Sequence, residues 1–335
     1  MAVPASGRSP SVPPALYGPV AGDLPLVEAK LASLAAEGAP WLREMLVPVL
    51  AGAGKRMRPA VALLAGRFGR YEPERLVPLA ASVELLHTAT LVHDDVIDAS
   101  PERRGRPTAA ALFQNGPSVM LGDYMFAHAA DFVAETGNIR AIRAFAKTLR
   151  VMATGELEQD LSAFEYSEDV QRYFDRIAGK TASLFATAAE GGAIVAGADE
   201  PAIGAMRRYG QRLGMAFQIV DDVLDFTGDA EAMGKPVASD LRSGTLTLPA
   251  ILYLQREPED NPVRRAFDGV RPRANFERAI AAIREGGMLA ESMEVARRFA
   301  SEALDAIERA PRHAADPETR ETLAGLVSEV LDRES

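Results

Sequence analysis

Apolar residues recur with helical spacing along nearly the whole chain, and few segments alternate apolar with polar as a half-buried strand would. The pattern begins near Pro25. A basic loop from Gly52 to Pro59 precedes an apolar run that starts at Ala60. The longest clear segment runs from about Pro73 to Asp98, where Leu76, Leu79, Val83, Leu86 and Leu91 suit a 3.6-residue period. Pro101 stops it, and Gly105 and Pro107 mark a second basic loop. Further helices are predicted at about residues 117–136, 139–162, 170–196 and 201–226. A polar loop from Gly228 to Gly244 leads to a short helix at Leu248, and at least two amphipathic helices fill Pro262 to Ser335.

Abundant alanine, leucine, arginine and glutamate strengthen the all-α reading. No Pro/Ser/Gly linker interrupts residues 25–333, so one domain over residues 23–335 is expected. Ahead of it, residues 1–22 read as a disordered leader; Pro4, Pro10, Pro13, Pro14 and Pro19 crowd it, and it lacks the apolar run of a signal peptide. The chain has no cysteine, which excludes disulfides and thiolate metal sites and suits a reducing, cytoplasmic setting. No stretch long enough to span a bilayer is free of charges and breakers; Glu190, Gly191 and Gly192 interrupt residues 181–198. A net charge of −10 argues against a nucleic-acid partner, though not against an anionic substrate met by local cations.

Two acidic clusters carry the chemistry. Asp94, Asp95 and Asp98 lie in HDDVID, and Asp221, Asp222 and Asp225 lie in VDDVLD. Acids at i, i+1 and i+4 put the first and third on one helical face, where they repel. Both clusters fall near predicted helix C-termini, where the macrodipole opposes an anion by ~0.3–1 kcal/mol per charge. A divalent cation turns that repulsion into coordination, and oxygen donors without His or Cys suit Mg²⁺, with Mn²⁺ as a substitute. The rows extend inward: His87, Leu91, Asp94 and Asp98 keep a 4-3-4 spacing that Gly214, Gln218, Asp221 and Asp225 repeat, which describes a cavity wall. The alternative for each cluster alone is a solvated acidic helix end.

Cations stand close in sequence to these elements: Lys55 and Arg58, Arg103 and Arg104, Lys180, and Lys235. Carboxylates for metal beside separate basic clusters point to a substrate carrying diphosphate groups. The ordered segments GKRMRP, ELLHTATLVHDDVIDASPERRGRPT, GDYMFA, GKTASLF, FQIVDDVLDF and GKPVASDLRSGTLTLP resemble successive motifs of the trans-isoprenyl (polyprenyl) diphosphate synthases, over roughly Pro25 to Arg333.

That resemblance implies an antiparallel helical bundle around a central cavity, the isoprenoid synthase type I fold, and a homodimer. It implies a prenyltransferase that condenses isopentenyl diphosphate with geranyl, farnesyl or geranylgeranyl diphosphate and releases diphosphate. Asp94, Asp95 and Asp98, with Asp221 and Asp222, would hold Mg²⁺, about three ions in the full complex, and Asp225 would support the second site. Arg103, Lys180 and Lys235 would contact the allylic diphosphate; Lys55, Arg58, His87 and Arg104 would hold isopentenyl diphosphate. Thr181 and Gln218 would lie near the reacting carbons. Members of the family often carry Lys where this chain has Thr245, so one cation of the allylic clamp is expected to be missing.

Small residues at Ala89 and Thr90, one turn below Asp94, leave room for a growing tail, where bulky aromatics stop growth in short-chain members. A medium- or long-chain all-trans product, partitioning to membrane, is therefore expected. A class I terpene cyclase shares the fold and first motif, but its second metal motif is usually Asn/Ser/Glu-rich. The catalytic subunit of a heteromeric synthase remains an alternative.

Overall fold

The computed structural model describes residues 16–51, 54–103, 105–228 and 236–333. Residues 1–15 of the expected leader lie outside this set, as do Arg104 and Lys235. The remaining leader residues include a single 3₁₀ turn, Gly18–Val20, with Tyr17 and Val20 buried. Helices dominate the described residues, as the periodicity requires, and a two-stranded hairpin, Glu102–Arg103 with Arg106–Pro107, is the sheet among them.

Contacts divide the chain into two compact units, each built from three separated stretches: residues 1–143, 188–202 and 312–325, and residues 144–187, 203–311 and 326–335. Such interleaving leaves no linker to be read in the sequence.

In the first unit, α1 (Leu24–Glu37), α2 (Pro40–Leu50), α3 (Met57–Gly66), α4 (Pro73–Ile97), α5 (Ala109–Phe113) and α6 (Asn115–Glu135) supply most of the structure. Helix α4 starts with Pro73, whose missing N–H is no loss there, and Glu74 in its first turn complements the dipole. The sequence suggested an apolar stripe. The structure instead buries α4 on every side from Leu76 to Leu86, because α1, α3 and α6 all pack on it. By length and hydropathy α4 passes for a membrane span, but Pro78 and Glu84 interrupt it and 72% of that window is buried inside the protein.

Close backbone approach fixes this packing. A Cβ on Gly192 would meet the Ala62 carbonyl oxygen at 2.0 Å, so only glycine lets residues 188–195 lie against α3. Arg67 pins the stretch 312–325 by donating to Thr319 Oγ1 at 2.8 Å and Asp316 at 2.9 Å.

The second unit takes α7 (Ile139–Leu161) from Ala144 onward, α8 (Val170–Ile177), a π-helical turn Ala178–Ala182, and α10 (Glu200–Thr227) from Ile203 onward. Beyond these come α11 (Ser239–Arg242), α12 (Leu248–Arg256), α13 (Pro262–Phe267), α14 (Pro272–Glu285) and α15 (Met288–Arg309). (Helix α9, Ser183–Val195, follows the π turn directly.) Tyr173, Ile177, Ile219, Phe226, Leu241, Leu248 and Ile251 share its core. Gly210 and Gly214 bring α10 against Phe185 and Ala182: a Cβ on Gly214 would stand 2.5 Å from the Ala182 Cα. Gly214 thus serves helix packing, not the cavity wall that spacing suggested.

Gly192→Ala should destabilise the protein by ~1–3 kcal/mol through overpacking. Gly204→Ala, where an added Cβ meets only the Arg208 guanidinium at 3.7 Å, should be neutral or stabilising by up to ~1 kcal/mol. Denaturant unfolding of both variants checks the contrast.

Candidate active site

The first acidic cluster closes α4. Asp94 is half-buried, Asp95 is buried, and Asp98 is the exposed C-cap, its N–H bonded to the Asp94 carbonyl at 2.8 Å. The hairpin after α4 turns at Gly105 (φ +69°) and returns Arg103 to Asp95, with Nε to Oδ1 at 2.8 Å. Burial pushes the Asp95 carboxyl above its usual range; Arg103 opposes the shift and Asp98 adds to it. Thr108 holds the hairpin base by donating to the Ser100 carbonyl at 2.7 Å.

One turn further in, His87 is half-buried, Ala89 is fully buried and Thr90 is half-buried. Thr90 donates to the His87 carbonyl. His93, to which the sequence gave no role, packs on α6: its Nε2 lies 3.0 Å from the Val119 carbonyl oxygen and its ring edges onto Phe126. A Cβ on Gly122 would meet that ring at 2.2 Å, so the glycine of GDYMFA makes room for it.

The basic loop before α3 is organised by a residue that spacing did not single out. Arg56 takes a left-handed backbone (φ +53°) and pairs with Glu84 at 2.6 Å and with Glu28. Its side chain is 9% exposed and that of Glu84 7%. Burial works against its charge, but the two glutamates more than offset this and raise its pKa. Tyr17 also donates its hydroxyl to the Lys55 carbonyl. Exposed Lys55 and half-buried Arg58 therefore flank a fixed point.

In the second unit the carboxylates divide by environment. Asp221 is 45% exposed and pairs with Arg333 at 3.0 Å, whose guanidinium also lies 4.3 Å from the Phe217 ring centre. Asp222 is buried with both oxygens engaged: Tyr173 O–H donates at 2.6 Å and Gln218 Nε2 at 2.8 Å. Asp225 is buried too, accepting from Ser239 Oγ at 2.8 Å and the Asp240 amide at 3.2 Å, so it anchors the start of α11. Burial raises the Asp222 pKa to about 8, reinforced by Asp240 and opposed by Tyr173, Gln218 and Arg176. A divalent cation nearby acts against that rise.

The π turn carries Lys180 and Thr181, and such turns often mark function. Lys180 Nζ reaches Glu156 at 2.9 Å, and Thr181 Oγ1 donates to Gln218 Oε1 at 2.6 Å. Nearby, a shallow cleft is lined by Gln159, Tyr173, Arg176 and Thr245. Arg176 donates to the Leu246 carbonyl, so a guanidinium stands beside the position where lysine is missing.

The structure therefore unites Tyr173, Thr181, Gln218 and Asp222, and separately Asp95 with Arg103. Tyr173, Arg56 and Arg333 were missed. Their signals in the sequence were slight: an arginine inside the basic loop, a tyrosine seven residues before Lys180, and an arginine beyond the last helix. Among the described residues no three His, Asp or Glu side chains converge as a ready-made cage. All-oxygen donors that leave coordination to be completed by phosphate and water fit Mg²⁺ well.

A family model described as polyprenyl synthetase matches residues 39–283. Heptaprenyl diphosphate synthase component 2 of Geobacillus stearothermophilus is 39% identical over 304 residues, covering 90% of this chain and 94% of that protein. The solved heptaprenyl diphosphate synthase of Staphylococcus aureus superposes with a TM-score of 0.87 at 31% identity, over 94% of this chain and 98% of that one. A polyprenyl synthase from Caulobacter crescentus, solved with calcium and isoprenyl diphosphate, gives 0.85 at 34% identity, over 98% and 100%.

Replacing Arg56 with Met strands the buried Glu84 carboxylate. The variant should lose about 3–5 kcal/mol of stability, and the double variant Arg56→Met/Glu84→Leu should recover a large part of it in the same unfolding experiment.

Proposed function

The chain belongs to the polyprenyl synthetase family, and from that premise we propose that it condenses isopentenyl diphosphate with an allylic diphosphate to build a medium- or long-chain all-trans polyprenyl diphosphate. The observation that carries this reading is the pair of Asp-rich motifs, which keep Asp94 half-buried and Asp98 and Asp221 exposed in a chain without cysteine. Those three and Asp95 are the residues we assign to Mg²⁺, with Asp222 and Asp225 behind them. When bound, Mg²⁺ neutralises the diphosphate leaving group and favours its ionisation.

The chain's own residues do the rest. Lys180 and Arg103, with Lys235, bind the allylic diphosphate. Lys55, Arg58 and His87, with Arg104, hold isopentenyl diphosphate, and the Arg56–Glu84 pair keeps their loop in place. Each cation lowers the energy of negative charge collecting on departing diphosphate. Thr181 and Gln218 set oxygens against the positive charge on the allylic carbon. The double bond of isopentenyl diphosphate then forms the new carbon–carbon bond, and the departing diphosphate takes the proton lost in closing the alkene.

Ala89 is fully buried, whereas Thr90 is only half-buried. Position 90 is thus the better place to obstruct a growing tail, since a large residue at 89 would disrupt the core. We assign the protein to the cytoplasm, on its lack of cysteine. We also read it as a homodimer, because exposed Trp41, Val47, Leu112 and Met120 lie on α2, α5 and α6, where α5 packs against both of the others. A second reading, the catalytic subunit of a two-component synthase, is favoured by the name of the Geobacillus relative.

Purified chain supplied with Mg²⁺, isopentenyl diphosphate and farnesyl or geranylgeranyl diphosphate should yield medium- or long-chain products by chromatography. Chelation with EDTA should abolish turnover. Thr90→Phe should shift the distribution to shorter products; an unshifted distribution would remove position 90 from length control. Turnover that appears only when a second protein is added would establish the two-component reading.

A further inference from the structure

In the second unit a hydrogen-bonded run links four side chains: Tyr173 O–H to Asp222 Oδ2 at 2.6 Å, Gln218 Nε2 to Asp222 Oδ1 at 2.8 Å, and Thr181 Oγ1 to Gln218 Oε1 at 2.6 Å. Tyr173 and Asp222 are 1% and 2% exposed, while Gln218 is only half-buried. The run therefore leads from the core outward to the groups nearest the proposed chemistry.

An amide side chain has two ends of opposite polarity, and a half-turn about its last bond exchanges them. Near a carbon that develops positive charge, the oxygen end stabilises and the NH₂ end does the reverse. Something must therefore fix which end faces outward. Both Asp222 oxygens accept, one from the Tyr173 hydroxyl and one from the NH₂ end of Gln218, which leaves the amide oxygen to receive the Thr181 hydroxyl. Reversing the amide would set its carbonyl oxygen against an Asp222 oxygen, a contact between two acceptors.

We propose that Tyr173 and Asp222 are positioning residues that hold the Gln218 amide with its oxygen toward the reacting allylic carbon. Tyr173 occupies the second oxygen of Asp222 and so fixes the carboxylate's rotation. Its ring is held in turn by Arg176, whose guanidinium centre lies 5.6 Å from the ring centre. This proposal rests on the prenyltransferase reading for its consequence, but not for its geometry.

The test has two arms. In the first, the full chain is labelled with ¹⁵N-glutamine, and the Gln218 side-chain signals are assigned by their loss in Gln218→Met. The carboxylate-bonded NH₂ proton should resonate downfield in the wild type and move upfield in Asp222→Asn and, by less, in Tyr173→Phe. Signals unmoved in Asp222→Asn overturn the proposal, whatever the enzyme does.

In the second arm, Tyr173→Phe should lower kcat by on the order of 10- to 100-fold, as loss of orientation does. KM for both diphosphates, and Mn²⁺ affinity measured calorimetrically with inorganic diphosphate, should stay within about twofold. Weakened Mn²⁺ binding at unchanged kcat would overturn the proposal and make the pair part of the metal site. Should the wild-type chain show no condensation either alone or with an added second protein, the prenyltransferase reading fails, and the spectroscopic arm alone decides the orientation of the amide.

Discussion

Negative charge gathered at helix C-termini is the constraint from which the rest of this molecule follows. Every carboxylate there opposes its own helix dipole and its neighbours, and burying one unpaired costs several kcal/mol. The fold answers each charge separately. Arg103 returns along the hairpin to Asp95; Tyr173 and Gln218 take the two oxygens of Asp222. Ser239 and the Asp240 amide satisfy Asp225, and Arg333 meets Asp221. The acids left most accessible, Asp98 and Asp221, are among those we assign to Mg²⁺. Loops that look peripheral in the sequence are thus tied to the chemistry by electrostatic necessity.

Periodicity located the helices well because their burial is strong and regular. Residues 73–98, 139–162 and 201–226 were expected; Pro73–Ile97, Ile139–Leu161 and Glu200–Thr227 are found. Spacing was a poorer guide to side-chain partnership. It drew a row through Gln218, Asp221 and Asp225, whereas the amide of Gln218 reaches Asp222, the neighbour at i+4. Acids at i and i+1 are equivalent on paper, and only burial against Tyr173 tells them apart. Arg56 illustrates the same limit: its partners Glu28 and Glu84 lie 28 residues away on either side, a separation that carries no local pattern.

Thr245, where the family resemblance leads one to expect lysine, shows how a site's charge is distributed over more than its motif. Position 245 itself carries no cation, yet Arg176 comes from a different helix and bonds to the next carbonyl. Charge at a diphosphate site is a sum over neighbours, so counting motif residues alone understates it. Arginine reaching in from α8 also differs from lysine in kind, offering a planar fork in place of a mobile point charge.

The π turn at Ala178–Ala182 has a consequence of another sort. A turn of that kind holds one residue more than the surrounding helix needs, and each added residue rotates all that follows by about 100°. Lys180 and Thr181 sit inside it, so their bearing relative to Tyr173 and Arg176 is set by chain length as much as by residue identity. An insertion or deletion of a single amino acid there would re-aim the site while leaving every side chain in the alphabet unchanged. Where these side chains aim is therefore a matter of counting as well as of substitution.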